Sequence, residues 1–283
     1  EGAGGVNGGG SFNLPVSAVK KSLAEGEELF RSGKLQEAEA VYQRILEEAK
    51  NCRNEQSEVA LMAEGDYALL LLKTGRLEEA TKTYKKVWMG KVTLYGENNE
   101  NTLLTKADLA SVLVASGQIE AAERKLREVL AKLGHSIGKH SESTLAVMVM
   151  LADVLTKSSG TREEALGLYD EVLVARRGEG ASSTVMSVKA NLAVCYDQTG
   201  QTEQAEKLTE EVFVEHLNLF GPEAAETALA RANLEYFRAR NLEAHYAVVA
   251  MRPEAGRRRC IDLYTRSAET WAVHLGEQHE AIV

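Results

Sequence analysis

The stretch from Leu69 to Tyr84, LLLLKTGRLEEATKTY, decides the fold of this chain. A run of leucines leads to Gly75, and Leu77, Ala80 and Tyr84 then follow at the spacing of one helix face. Glycine commonly ends a helix because it adopts the left-handed conformation without steric cost. Apolar residues three and four apart form a buried stripe, and a small residue such as Ala80 lets two helices approach closely. The stretch therefore predicts a helical hairpin.

The same register recurs along the chain. Five copies carry a turn glycine followed by small, aromatic or aliphatic residues of a second helix: Gly33, Leu35, Ala38, Tyr42, Ile45; Gly75, Leu77, Ala80, Tyr84, Val87; Gly117, Ile119, Ala122, Leu126, Val129; Gly160, Ala165, Tyr169, Val172; and Gly200, Ala205, Val212. The first three glycines lie 42 residues apart, and the later alanines are 43 and 40 residues apart. Linkers of variable length between recurring hairpins are typical of a repeat array.

This order of residue types resembles the tetratricopeptide repeat family, in which a small residue precedes the turn glycine and an alanine follows it by five residues. The matching positions are Ala68, Gly75, Ala80 and Tyr84; Gly26, Gly33, Ala38 and Tyr42; and Ala193, Gly200 and Ala205. The ordinary repeat has about 34 residues. The longer repeat here, with endings such as Leu94-Tyr-Gly96, is similar to that of kinesin light chains and kinesin-light-chain-like proteins.

The resemblance covers roughly residues 20–283 and implies an all-α fold, a right-handed superhelical solenoid of about six helical hairpins. HEAT and armadillo arrays also have periods of about 40–47 residues, but they lack the glycine and alanine signature. We expect a flexible glycine-rich segment at residues 1–15 and one array at 16–283. Its hairpins are predicted at about 16–51, 55–96, 101–134, 141–178, 182–221 and 223–276.

Two local features refine this division. The polar cluster at 98–101 is suited to the N-cap of a helix. The sixth hairpin is longer than the others, which predicts an insert near 241–256. The insert is interpreted either as a specific contact or as a tolerated loop.

Composition limits the classes of function. The chain has 44% hydrophobic and 27% charged residues and only 3 prolines in 283 residues, which suits long helices. No apolar run is long enough to predict a transmembrane segment. The net charge of −9 argues against a nucleic-acid partner.

The cysteines and histidines predict neither a disulfide framework nor a metal site. Cys52, Cys195 and Cys260 are odd in number and far apart, which favours reduced thiols in an intracellular compartment. The cytoplasm and an organelle matrix or stroma, chloroplast or mitochondrion, both fit. No Cys/His pair has a zinc spacing, so no cofactor is expected. No catalytic motif can be placed either, and we predict that the protein is not an enzyme.

The resemblance implies a binding site on the first helices, since these line a concave groove in the family. The register predicts the following groove residues: Met62, Asp66, Leu69, Leu72, Lys73, Leu104, Asp108, Ser111, Val114, Ala146, Val149, Asp153, Lys157, Asn191, Val194, Asp197, Gln198 and Asn233. Asn191 and Asn233 are interpreted either as holding a ligand backbone or as bracing a neighbouring helix.

The predicted groove is apolar with acidic points. Chaperone-binding members of the family use lysine, asparagine and arginine to clamp a C-terminal carboxylate, whereas this chain has Leu23, Glu27, Asp66, Leu104 and Asp108 at those places. Two carboxylates would repel a third. The groove therefore predicts an amphipathic or basic-apolar segment of a partner protein.

Two kinds of function remain open. The first is a non-catalytic scaffold, adaptor or assembly factor that binds a peptide or helix in the groove, within a larger complex. The alternative is a permanent structural subunit held through its convex face, the insert and the C-terminal end. The basic cluster Arg257, Arg258 and Arg259 is interpreted either as a docking patch for an acidic group or as a solvated helix start.

Overall fold

The computed structural model describes residues 16–51, 57–157, 160–178, 182–248 and 254–275. These residues form the helices α1 (Val16–Arg31), α2 (Leu35–Asn51), α3 (Glu58–Lys73), α4 (Leu77–Tyr95), α5 (Glu100–Ala115), α6 (Ile119–Ser136), α7 (Glu142–Leu155), α8 (Arg162–Ala175), α9 (Ser183–Gln198), α10 (Thr202–Phe220), α11 (Ala225–Val248) and α12 (Glu254–Leu275). No strand occurs in the described ranges. The prediction of an all-α fold of about six helical hairpins is confirmed. The glycine-rich segment at 1–15 and Cys52 lie outside the described residues.

Four hairpins turn at a glycine in the left-handed conformation. Gly75 has a φ of 76° and donates to the Leu72 carbonyl at 3.1 Å. Arg76 donates to the Leu71 carbonyl at 2.9 Å. This pair of bonds is a Schellman motif, which satisfies carbonyls that the helix end leaves without partners. The same φ and the same two bonds recur at Gly33, Gly117 and Gly200. Gly160 differs, because it does not adopt a positive φ.

The alanine of each second helix lies at the centre of its hairpin. Five equivalent alanines have no accessible surface: Ala38, Ala80, Ala122, Ala165 and Ala205. The residue four positions later is buried as well in the first four copies: Tyr42, Tyr84, Leu126 and Tyr169. At Gly26 a Cβ atom would lie 2.7 Å from the Tyr42 ring, so the first hairpin needs glycine at its crossing point. The residues that the sequence pattern predicted to be buried are therefore the ones that pack between the two helices of a hairpin.

The chain divides into two compact units, unit 1 (Glu1–Met150) and unit 2 (Leu151–Val283). Within unit 1, α1 packs on α2, α3 on α4 and α5 on α6, and the second helices α2 and α4 also contact the next first helices, α3 and α5. First helices touch one another, α1 with α3 and α3 with α5. Within unit 2, α8 to α12 pack in succession. Packing between sequence neighbours is what a repeat array requires.

The sixth hairpin accommodates its extra residues mainly in a long first helix. The helix α11 runs through 241–248, and α12 begins at Glu254. A Cβ at Gly256 would meet the Tyr246 ring at 2.5 Å, so the long helix passes close to the start of α12. Residues 249–253 of the predicted insert lie outside the described ranges. The helix α5 has the predicted cap, since the Asn99 side chain accepts from the Asn101 amide at 2.9 Å. None of the described helices has the length and hydropathy of a membrane span.

Candidate partner-binding face

The predicted groove residues are half-buried or exposed at every position. In unit 1 they lie on α3, on α5 and on the first part of α7. In unit 2 they lie at the end of α7, on α9 and on α11. Met62 and Val194 are exposed apolar side chains, at 46% and 43%. The register therefore places these side chains at a surface in both units.

Two of the acids in unit 1 have no hydrogen-bond donor among the described residues. Asp66 on α3 and Asp108 on α5 occupy the same register, nine residues before Gly75 and Gly117. Neither carboxylate accepts a hydrogen bond from, or forms an ion pair with, the part of the chain that the structure describes. Neither is among the buried atoms that lack a partner, so their oxygens reach solvent. Both are open acceptors in half-buried positions.

Burial changes the acidity of both groups. It raises the pKa of Asp108 from 3.8 to about 6, against the opposing effect of the Lys91 ammonium. It also raises the pKa of Asp66 to about 6, with a further contribution from the Glu27 carboxylate. Both aspartates are therefore largely ionised at neutral pH and become neutral about two pH units above the ordinary range.

The second helices complete this acidic site with a lysine and two tyrosines. Burial lowers the pKa of Lys91 on α4, while Asp108 and Asp66 oppose that effect. The Lys91 ammonium donates to Thr105 Oγ1 at 2.8 Å and pairs with neither aspartate. Burial and the charge of Asp66 raise the pKa of Tyr42 to about 12.

Burial and Asp108 together raise the pKa of Tyr84 as well. The two tyrosines are thus neutral phenols beside two carboxylates at physiological pH. Together the three side chains bring one cation and two hydroxyl groups to the acidic pair.

Lys91 was not predicted from the sequence, because only residues of first helices were expected to line the groove. The signal was present, since Lys91 follows Tyr84 by seven residues and therefore shares its helix face.

Two acids among the predicted groove residues of unit 2, at other positions in the register, are satisfied within the chain. Asp153 accepts hydrogen bonds from the Tyr169 hydroxyl and from Asn191 Nδ2, the latter at 2.9 Å. Asp197 accepts from Arg240 Nε at 3.0 Å. In this structure Asn191 thus braces a neighbouring helix.

Asn233 does the same, since its Oδ1 accepts from Trp271 Nε1 at 3.0 Å. Both asparagines therefore make the contact that the bracing interpretation requires. A role for either in holding a ligand stays a prediction.

The basic cluster of α12 is exposed but does not start the helix. Arg257, Arg258 and Arg259 are all exposed, and α12 begins three residues earlier, at Glu254. Glu254 lies in the first turn and pairs with Arg258 one turn later. An acid at this end favours the helix dipole. The exposure of the cluster near the start of α12 is compatible with the solvated interpretation, and its role as a docking patch stays a prediction.

No protein-family model and no curated protein matches the sequence. Solved structures do match. A Podosopora anserina protein of kinesin-light-chain type with nearly identical TPR-like repeats superposes with a TM-score of 0.59 at 19% identity, over 75% of this chain and 95% of that one. BtubC from P. vanneervenii gives 0.60 at 18% identity, over 93% and 94%.

A third structure is a Rap protein complexed with competence and sporulation factor, which gives 0.55 at 14% identity, over 95% of this chain and 85% of that one. Likeness at such low identity concerns the fold alone. The chain has the tetratricopeptide-repeat fold, in a form similar to that of kinesin-light-chain-like structures.

Proposed function

We propose that this protein is a non-catalytic binding scaffold, an adaptor or assembly factor, that holds a peptide or helix of a partner protein against unit 1. The observation that carries this proposal is the open pair Asp66 and Asp108. A half-buried carboxylate without a donor costs free energy that a paired one does not. An N–H donor of a ligand would remove that cost. Acids with a perturbed pKa are over-represented at functional sites.

The neighbourhood of the pair indicates what the ligand looks like. Leu69 and Leu72 of α3 and Leu104 of α5 are half-buried and lie in the same register face as the acids. A segment that fits this face combines apolar side chains with basic or amide N–H groups. An amphipathic or basic-apolar helix has that combination.

Two further observations support the proposal. One structural neighbour, the Rap protein, was solved in complex with competence and sporulation factor. The thiols of Cys195 and Cys260 are buried, as expected for reduced cysteines. They support our proposal of a reducing compartment, the cytoplasm or an organelle matrix or stroma.

The test is quantitative affinity capture of partners from the native source, with wild type and Asp66→Asn/Asp108→Asn compared. The substitution removes two charges and preserves shape. Asp170→Asn, at an exposed acid of α8, is the matched control. A defined partner should be captured by wild type and the control and lost with the double variant, while circular dichroism shows an unchanged helix content. Capture of the same partners by all three proteins would refute the proposal.

The pH dependence gives an independent check. Protonation of Asp66 and Asp108 removes the charges that attract a basic segment, and both have a pKa of about 6. The affinity of the captured partner should therefore weaken as the pH falls from 7.5 to 5. Binding that strengthens over that interval would contradict the assigned role of the acids.

A permanent structural subunit is the second candidate, and a separate observation favours it. Most of the exposed large apolar side chains in the described ranges lie on second helices, among them Met89, Val174, Phe220, Ile261 and Val273. A stable assembly covers such surfaces. A recombinant chain that stays monodisperse alone would favour the adaptor. Native protein found only at high mass, together with aggregation of the isolated chain, would favour the subunit.

A further inference from the structure

A second surface of unit 1 has the opposite charge to the acidic pair. It lies on the second helices α4 and α6, and we call it the α4–α6 face. A depression of about 620 Å³ on it has apolar residues, including Leu61 and Val92, in its lining and three lysines at its border, Lys82, Lys85 and Lys86. None of the described side chains that line this depression is acidic.

The cations of this face are largely unpaired. Lys82 and Lys85 are exposed and form no ion pair within the described ranges, whereas Lys86 pairs with Glu64 at 2.6 Å. An adjoining depression of about 390 Å³ shares Lys85 and adds Arg124 and Lys125 from α6.

Burial lowers the pKa of Lys125, and the charges of Lys106 and Lys85 lower it further, against the opposing effect of the Glu128 carboxylate, which also lines the second depression. The lysines of this face therefore repel one another. An anionic ligand would relieve that repulsion. In a chain with a net charge of −9, the face is a local concentration of positive charge.

Apolar surface accompanies the charge. Met89 is 63% exposed and lies one turn beyond Lys85 and Lys86 on the same helix face. Trp88 also lines the first depression, and its indole N–H is buried without an acceptor in the part of the chain that is described. A partner that brings apolar side chains matches the exposed Met89 and the apolar lining of the depression.

We propose that the α4–α6 face binds an acidic amphipathic segment of a partner protein. Its apolar side chains enter the depression beside Leu61 and Met89, and its carboxylates meet Lys82, Lys85 and Arg124. The ligand differs in charge from the one proposed for Asp66 and Asp108, which lie on first helices. The two surfaces therefore serve different segments.

The test uses a fluorescein-labelled helical peptide of about 18 residues with glutamates on one side and leucine and phenylalanine on the other. Fluorescence anisotropy measures its dissociation constant with the whole chain. Lys82→Glu/Lys85→Glu should weaken binding at least about tenfold, since each charge reversal replaces an attraction by a repulsion. Raising the salt from about 50 to about 300 mM should weaken wild-type binding, because exposed charges are screened.

Two controls isolate the surface. Lys20→Glu/Lys21→Glu on α1 changes the net charge of the same unit equally and should leave the affinity unchanged. Asp66→Asn/Asp108→Asn should leave it unchanged too, so this proposal is tested apart from the proposed function. Circular dichroism confirms that each variant is folded. A Met89→Asp variant, which keeps every lysine, should also weaken binding.

Three results would overturn the inference. The first is no measurable binding of the acidic peptide to wild type. The second is equal weakening by the α1 control, which would make the effect one of net charge. The third is binding of vesicles with about 30% phosphatidylserine through the same lysines without binding of the peptide, which would assign the face to a lipid surface.

Discussion

Replacement of Asp108 by asparagine should stabilise the protein at neutral pH. Burial raises the pKa of this carboxyl from 3.8 to about 6, and no described residue donates a hydrogen bond to it. Because the folded-state pKa is the higher one, the folded state binds the proton more tightly than the unfolded chain does. The contribution of Asp108 to stability is therefore largest below about pH 4 and is lost as the pH rises through about 6.

The size of the effect follows from the same values. A rise from 3.8 to about 6, at about 1.4 kcal/mol per pH unit, corresponds to about 3 kcal/mol of destabilisation by the ionised form. An asparagine amide in that position still lacks partners in the chain, which costs about 1–2 kcal/mol. We expect Asp108→Asn to raise the free energy of unfolding by about 1–2 kcal/mol at pH 7.5, and by much less at pH 4.5.

The assay is urea denaturation followed by circular dichroism at both pH values. Asp153→Asn is the matched comparison, because Asp153 accepts hydrogen bonds from Tyr169 and Asn191. Both bonds end on Oδ1, and burial raises the pKa of Asp153 as well, against the effect of these bonds. An amide there relieves the burial of a charge but weakens two charge-assisted bonds, so Asp153→Asn should gain less stability at pH 7.5 than Asp108→Asn. A larger gain at Asp108 than at Asp153 is the distinguishing result. A destabilised Asp108→Asn, or a gain of equal size at both pH values, would refute the reasoning.

The remaining predictions concern packing and the asparagine braces. Gly90→Ala places a Cβ 2.6 Å from Leu61 Cδ2 and should lower the free energy of unfolding by about 1–3 kcal/mol. Gly167→Ala, inside α8 with no atom within 4 Å, should raise it by about 0.5–1 kcal/mol, and similar effects of the two changes in urea denaturation would contradict the packing. Asn233→Ala leaves the Trp271 indole N–H without its acceptor and should cost about 1–2 kcal/mol while partner capture stays unchanged. Loss of a partner at unchanged stability would assign Asn233 to the ligand instead.

The hairpin register could be predicted because local rules determine it. Gly75 must end a helix in the left-handed conformation, and Ala80 must fit where no accessible surface remains. Both requirements restrict the amino acid at a fixed spacing, so the sequence repeats them. Gly160 has the spacing without the conformation, because a count of residues does not determine φ.

The candidate site could be predicted only in part. The register of the first helices predicted Asp66 and Asp108 as groove residues, because that register depends on residue spacing alone. It could not distinguish them from Asp153 or Asp197, whose donors lie 16, 38 and 43 residues away in the chain. Whether a buried polar group has a hydrogen-bond partner depends on tertiary packing, which one sequence does not reveal.

The strongest argument for where this protein binds is that some of these acids have hydrogen-bond donors among the described residues and others have none. An acid that only supports the fold is expected to have a donor, as Asp153 and Asp197 have within unit 2. Asp66 and Asp108 accept no hydrogen bond from the described residues, and burial disfavours their charged forms at neutral pH. A repeat array can readily supply a donor at such a position, as Arg240 does for Asp197. A half-buried polar group that finds no partner inside the chain is expected where an external group completes the site. The helices α3 and α5, which contact each other in unit 1, therefore hold the acceptors that a partner has to satisfy.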